Sequence, residues 1–207
     1  MPGGLTMSMP WMPMPGQSWA GAAASFLSIW IVMMVAMMLP SLVPTLRRYR
    51  QAGLGRLTAL VAVGYFVVWT VFGIAAYPLS VALARATPIV VGVVVLMAGV
   101  LQFTAWKAHH LACCREAPRG DRVPADVGTA WRHGLRLGFH CAKCNVGLMA
   151  ILLGLGVMDL RAMAVVAAAI TVERLAPAPA SNRVARATGA VALGAGLFLI
   201  ARAAGLG

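Results

Sequence analysis

All four cysteines of the chain fall in two pairs, and histidines flank both. The first pair lies in Lys107-Ala-His109-His110-Leu-Ala-Cys113-Cys114-Arg115, the second in Gly138-Phe-His140-Cys141-Ala-Lys143-Cys144. Thiolate and imidazole together suit soft or borderline ions such as Cu(I), Zn(II) or iron. Residues three or four apart share a helix face, so on a helix Cys141 and Cys144 point the same way, with His140 close to that face. His110 and Cys114 stand in the same i, i+4 relation. The candidate metal ligands are therefore His110, Cys113, Cys114, His140, Cys141 and Cys144. A Cys-x-x-Cys redox pair is an alternative, but no βαβ pattern of the thioredoxin kind surrounds it. The inert reading is that cysteine fills space as a small apolar residue.

Two further features carry ligand-type atoms. Glu173 ends an apolar run, in Ile170-Thr171-Val172-Glu173-Arg174; ionisable groups at such depth are functional candidates, with a local ion pair as the alternative. Upstream, Met33-Met34-Val35-Ala36-Met37-Met38-Leu39-Pro40-Ser41 holds two i, i+4 methionine pairs, Met33/Met37 and Met34/Met38. Their thioethers could ligate Cu(I) or simply pack a helix interface. A third methionine group, Met7, Met9, Met12 and Met14, sits in a proline-rich segment that would either capture Cu(I) or anchor at the headgroups.

The elements that position these groups follow from composition. Of 207 residues, 61% are hydrophobic and 11% charged, and the mean hydropathy is +0.84. So little polar cover excludes an ordinary soluble domain, and so much apolar content excludes disorder. Six apolar blocks, near 19–40, 59–82, 88–106, 137–157, 162–173 and 187–204, are continuous runs rather than alternating ones. They predict membrane-spanning helices, since backbone groups in lipid must pair within the segment. The fifth block is the shortest.

The net charge of +12 comes from 17 Lys and Arg against 5 Asp and Glu. Counted by connection, thirteen of these positives fall on one side of a six-span topology and three on the other, with Lys143 inside a span. The positive-inside rule then places both termini outside and the connection 107–136 in the cytoplasm. The expected organisation is a Met/Pro-rich outer tail over 1–18 and an all-α, polytopic bundle of about six helices over 19–207. Met1–Gly16 lacks a basic stretch and contains prolines, so it does not read as a secretory leader. The positives track membrane side instead of forming a soluble basic patch, which argues against nucleic acid and for a lipid bilayer as the main partner.

The segments together resemble a bacterial family of predicted metal-binding integral membrane proteins of unknown function. The marks are Met14-Pro-Gly-Gln-Ser-Trp19, the methionine run with Pro40-Ser41, Gln102-x-Thr104 through Lys107 to Cys114-Arg115 and Pro118, Gly138 with Cys141-x-x-Cys144 and Leu148-Met149, and the Glu173-basic pair. They spread over about residues 14–174. The resemblance implies a multi-span helical protein of the bacterial inner membrane with a metal site. His110 stands where the family usually has cysteine, which keeps a ligand. Asn145 and Val146 replace the usual Cys and Trp after Cys144, and Lys143 replaces Gly.

These readings converge on a membrane protein that binds or moves a soft transition metal, copper before zinc, with Met33, Met34, Met37, Met38 and Glu173 beside the Cys/His cluster and a metal-delivery protein as a partner. The alternatives are a metal-free scaffold subunit and a thiol-redox enzyme. No zincin, Walker or haem-attachment motif is present in the sequence.

Overall fold

A computed structural model describes residues 18–51, 55–115, 126–155 and 160–205. The Met/Pro-rich tail and most of Arg115–Gly128 lie outside them. Seven helices follow in order: α1 (Trp19–Gln51), α2 (Gly55–Ala84), α3 (Pro88–Leu101), α4 (Ala105–Arg115), α5 (Val127–Leu155), α6 (Leu160–Leu175) and α7 (Ala178–Ala203). There is no strand among the described residues.

Four of these helices, α1, α2, α5 and α7, are long and apolar enough to cross a membrane, and α3 with α4 forms a fifth candidate bent by 66°. The fifth apolar block becomes α6, whose 16 residues reach about 24 Å, short of a hydrocarbon core of about 30 Å. The helices therefore supply four full-length spans, or five with the bent pair, against the six blocks read from hydropathy.

The bend has a local cause. Gln102, Phe103 and Thr104 close tight i→i−3 backbone bonds onto Gly99, Val100 and Leu101. The Thr104 hydroxyl donates to the Leu101 carbonyl at 2.7 Å and accepts the Lys107 N–H at 3.3 Å. One side chain thus finishes α3 and caps α4, satisfying a donor that a new helix start leaves orphaned. The expected single block over 88–106 is two elements for this reason.

Helix α5 begins ten residues before its apolar block. Asp126 accepts the Thr129 N–H at 2.8 Å and also bonds the Thr129 hydroxyl, an N-terminal cap. The expected connection 107–136 is accordingly helical at both ends, over 107–115 and 127–136.

Two glycine-lined seams hold the bundle. Along α2–α5, a Cβ placed on Gly138 would stand 2.8 Å from the Tyr65 carbonyl oxygen, one on Gly64 3.1 Å from that of Trp131, and Gly134 abuts the Val61 carbonyl. Along α3–α7, a Cβ on Gly196 would stand 2.8 Å from the Leu96 nitrogen and one on Gly99 2.9 Å from the Leu193 nitrogen. Only the absence of side chains lets these backbones approach so closely, the usual device where lipid offers no hydrophobic drive between helices. Helix α1 lies against α2, where the buried Trp30 indole donates to the Trp69 carbonyl at 3.0 Å.

Candidate metal centre

The thiols meet where α4, α5 and α6 pack. Cys114, Cys141 and Cys144 are buried, and Cys113 is partly exposed; all four are free. Cys144 pairs with Cys114 across 30 residues of sequence, their Sγ atoms 3.8 Å apart. Two sulfurs bonded to one ion at about 2.3 Å each stand roughly 3.8 Å apart at a tetrahedral angle and about 4.6 Å apart when opposed. The Cys114–Cys144 separation falls at the near end of that range.

Cys141 has different company. Its Sγ accepts from the Arg174 guanidinium at 3.3 Å and the Asn145 amide at 3.3 Å, and shares a 3.0 Å hydrogen bond with the Tyr65 hydroxyl. Arg174 also donates to the Tyr65 hydroxyl at 3.3 Å and to Ser41 at 2.8 Å. Four elements thus converge on one sulfur: α1 through Ser41, α2 through Tyr65, α5 itself, and α6 through Arg174. The partners of the buried Arg174 are hydroxyls and sulfur with no carboxylate among them. A buried cation so placed favours negative charge at the thiols.

Beside this cluster lies a buried ion pair. Lys107 Nζ donates to Glu173 Oε2 at 2.7 Å and to the Cys144 carbonyl at 2.8 Å, with 4% and 0% of the two side chains exposed. Ser181 on α7 donates to the Glu173 carbonyl at 2.7 Å. Glu173 is thus buried as its position suggested, and its carboxylate holds a lysine.

The imidazoles form a further pair. His110 and His140 place their Nδ1 atoms 3.4 Å apart, with His110 buried and His140 partly so. The structure therefore brings together His110 with His140 and Cys114 with Cys144. It sets Cys113 on the outer face of α4, 3.8 Å from His109 Nε2. Met33, Met34, Met37 and Met38 are all buried in the apolar core, and that core also contains Cys114, Cys141 and Cys144. Among the described residues, no three or more His, Cys, Asp or Glu side chains gather into a group able to hold a metal ion together. Cys141 nevertheless lies within side-chain contact of both Cys114 and Cys144.

Three groups at the centre escaped the reading of the sequence. Lys107 and Arg174 were expected among the headgroup-facing positives, yet both are buried and hydrogen-bonded inside the bundle. Charge counting by connection misassigns them because each sits within a turn or two of its apolar block. Lys107 had one available signal, its place one turn beyond Thr104 and in reach of an intramembrane acid. Tyr65 carried none, being one aromatic in a continuous apolar run.

Fold and site define a helical bundle of membrane-length apolar helices built around buried paired thiols. The chain belongs to the PpoB2 copper chaperone family, whose model matches residues 27–199. That span takes in every cysteine and histidine, the methionine run and the Lys107–Glu173 pair. No curated protein and no solved structure matches the chain. The match makes the expected metal-related family a copper family.

Proposed function

We propose that this protein is a multi-pass membrane copper carrier that holds Cu(I) as cargo between Cys114 and Cys144 and passes it on. The observation that carries this reading is the pairing of the thiols: two buried sulfurs at 3.8 Å, with no larger donor group among the described residues. Cu(I) is content with few, soft ligands, whereas structural Zn(II) takes four. The copper chaperone family supports the same ion.

Cys141 is the supporting thiol in this scheme. Its sulfur is already engaged by Arg174, Asn145 and Tyr65, so it orients Cys144 one turn on, while the Arg174 charge stabilises the thiolates that bind the ion. His110 and His140 lie one turn from Cys114 and Cys144 on their own helices and serve as the neighbouring nitrogen donors. Met37 and Met38 serve mainly as packing around the site.

The orientation proposed counts α3 with α4 as one bent segment and α6 as a short one, six in all with both termini outside, so that the thiols lie toward the cytoplasmic side of a bacterial inner membrane. The asymmetry of the remaining Arg and Lys residues supports it. Anaerobic purification in detergent followed by elemental analysis tests the function. Copper should remain in the wild type and in Cys141→Ser, and be lost in Cys114→Ser and Cys144→Ser. Equal copper in the wild type and a Cys114→Ser/Cys144→Ser double variant would overturn the reading.

A further inference from the structure

Helix α4 carries its four ligand-type side chains on two faces. His110 and Cys114, one turn apart, are buried; His109 and Cys113, also one turn apart, face outward, with His109 exposed and Cys113 partly so. In the outer pair Cys113 Sγ lies 3.8 Å from His109 Nε2. An ion bonded at about 2.3 Å to sulfur and about 2.0 Å to an imidazole nitrogen holds those atoms roughly 3.5 to 4.3 Å apart. The outer pair is therefore spaced for an ion as it stands.

The fold explains why that face is accessible. The 66° bend turns α4 away from the line of α3, and its eleven residues include the exposed His109 and end at Arg115. Such a segment suits a membrane–water boundary better than the hydrocarbon. From the outer pair a short run of donors leads inward. The His109 ring lies 5.3 Å from that of His110, and His110 lies 5.6 Å from His140. His110 shares its helix face with Cys114, the first of the buried thiols.

We propose that His109 and Cys113 form a second, outward-facing Cu(I) site, an exchange station between a thiol-bearing donor or acceptor and the buried Cys114–Cys144 pair. The inference rests on the reading of that pair as the resting site. The transfer is a ligand exchange. A Cu–S bond to the donor thiolate breaks as one to Cys113 forms, the Cys113 proton goes to the departing thiolate, and no electron moves. The ion then passes by way of His110 and His140 to Cys114 and Cys144, and the same steps in reverse release it.

The test uses the full-length protein in detergent, loaded anaerobically with less than one equivalent of Cu(I) and then mixed with bathocuproine disulfonate, whose colour reports capture. Loss of the station should slow capture about tenfold, equivalent to about 1.4 kcal/mol of barrier, in His109→Ala and in Cys113→Ser. The final partition between protein and chelator should not change, because the buried pair is intact. Wild-type capture rates in both variants would overturn the proposal. A wild-type partition in Cys114→Ser would instead overturn the reading beneath it, so the two failures are distinguishable.

Discussion

The two glycine seams use one backbone device for different ends. Both α2–α5 and α3–α7 bring helices so close that an added Cβ would meet the facing backbone. On α3 the buried residues are Gly92, Val95, Ala98 and Gly99, with no polar side chain among them. The outer faces of α3 and α7 show Val93, Met97, Val191, Leu197 and Phe198, side chains that lipid would cover. Across α2–α5 the same closeness sets the register at which the Tyr65 hydroxyl reaches Cys141. Close packing between bare helices is thus general support in one place and the positioning of a sulfur atom in the other.

The comparison can be broken most severely through the charges on the polar side. Glu173→Leu should leave Lys107 buried without its partner and cost about 3–5 kcal/mol, while a Lys107→Met/Glu173→Leu double variant should recover most of that loss. Unfolding in detergent of the two single variants and the double variant measures it. Additive losses would mean the pair is not the unit it looks to be.

Next come the seams themselves. Gly138→Leu and Gly196→Leu should each lower stability by about 1–3 kcal/mol through overpacking. Only the first should also strip copper from the folded fraction, since it pushes α5, the helix that carries Cys144, away from its place against α2. Copper per folded molecule, read beside the melting temperature, separates the two. Equal copper loss in both would merge the seams into one function.

A smaller effect is expected at Arg174. Arg174→Lys should keep the charge near the thiols yet lose the reach of the guanidinium Nη1, which meets Ser41, Tyr65 and Cys141 together. Copper should be retained with weaker affinity in a chelator titration, while Arg174→Met should weaken it further.

The smallest effect lies at the exposed start of α5. The Thr129 hydroxyl bond holds the Asp126 carboxyl below its ordinary value. The cap is therefore fully present above the ordinary aspartate range and fades as pH falls through the lowered value. Asp126→Ala should fray the first turn at neutral pH, Asp126→Asn should not, and hydrogen exchange at Val127–Ala130 would show the difference.

Much of this architecture is legible in the sequence. Continuous apolar runs marked α1, α2 and α7, because a helix in lipid must be apolar around most of its circumference. The i, i+4 relations of His110/Cys114 and His140/Cys144 held because both segments are helical there. Other features were not local properties. Gln102 and Thr104 lie inside one apolar block, 88–106, and the bonds they close divide it into two helices. Lys107 and Arg174 read as headgroup charges since their partners, Glu173 on one side and Ser41 and Tyr65 on the other, lie 66, 133 and 109 residues away. The Cys-x-x-Cys spacing suggested one pair, whereas the fold adds Cys114 beside Cys144 and Arg174 beside Cys141.

That last division has a mechanical side. Cys114 stands on a short helix joined to α3 by a three-residue turn, and Cys144 on a long helix packed deep in the bundle. An ion shared between them is a staple between a light element and a heavy one, closing a stretch of 30 residues. Closing such a stretch removes chain freedom that grows only slowly with its length, and whatever binds the folded form alone also holds it folded. On the proposed reading the cargo would tighten its own carrier, with α4 held more firmly when Cu(I) is bound than when it has gone.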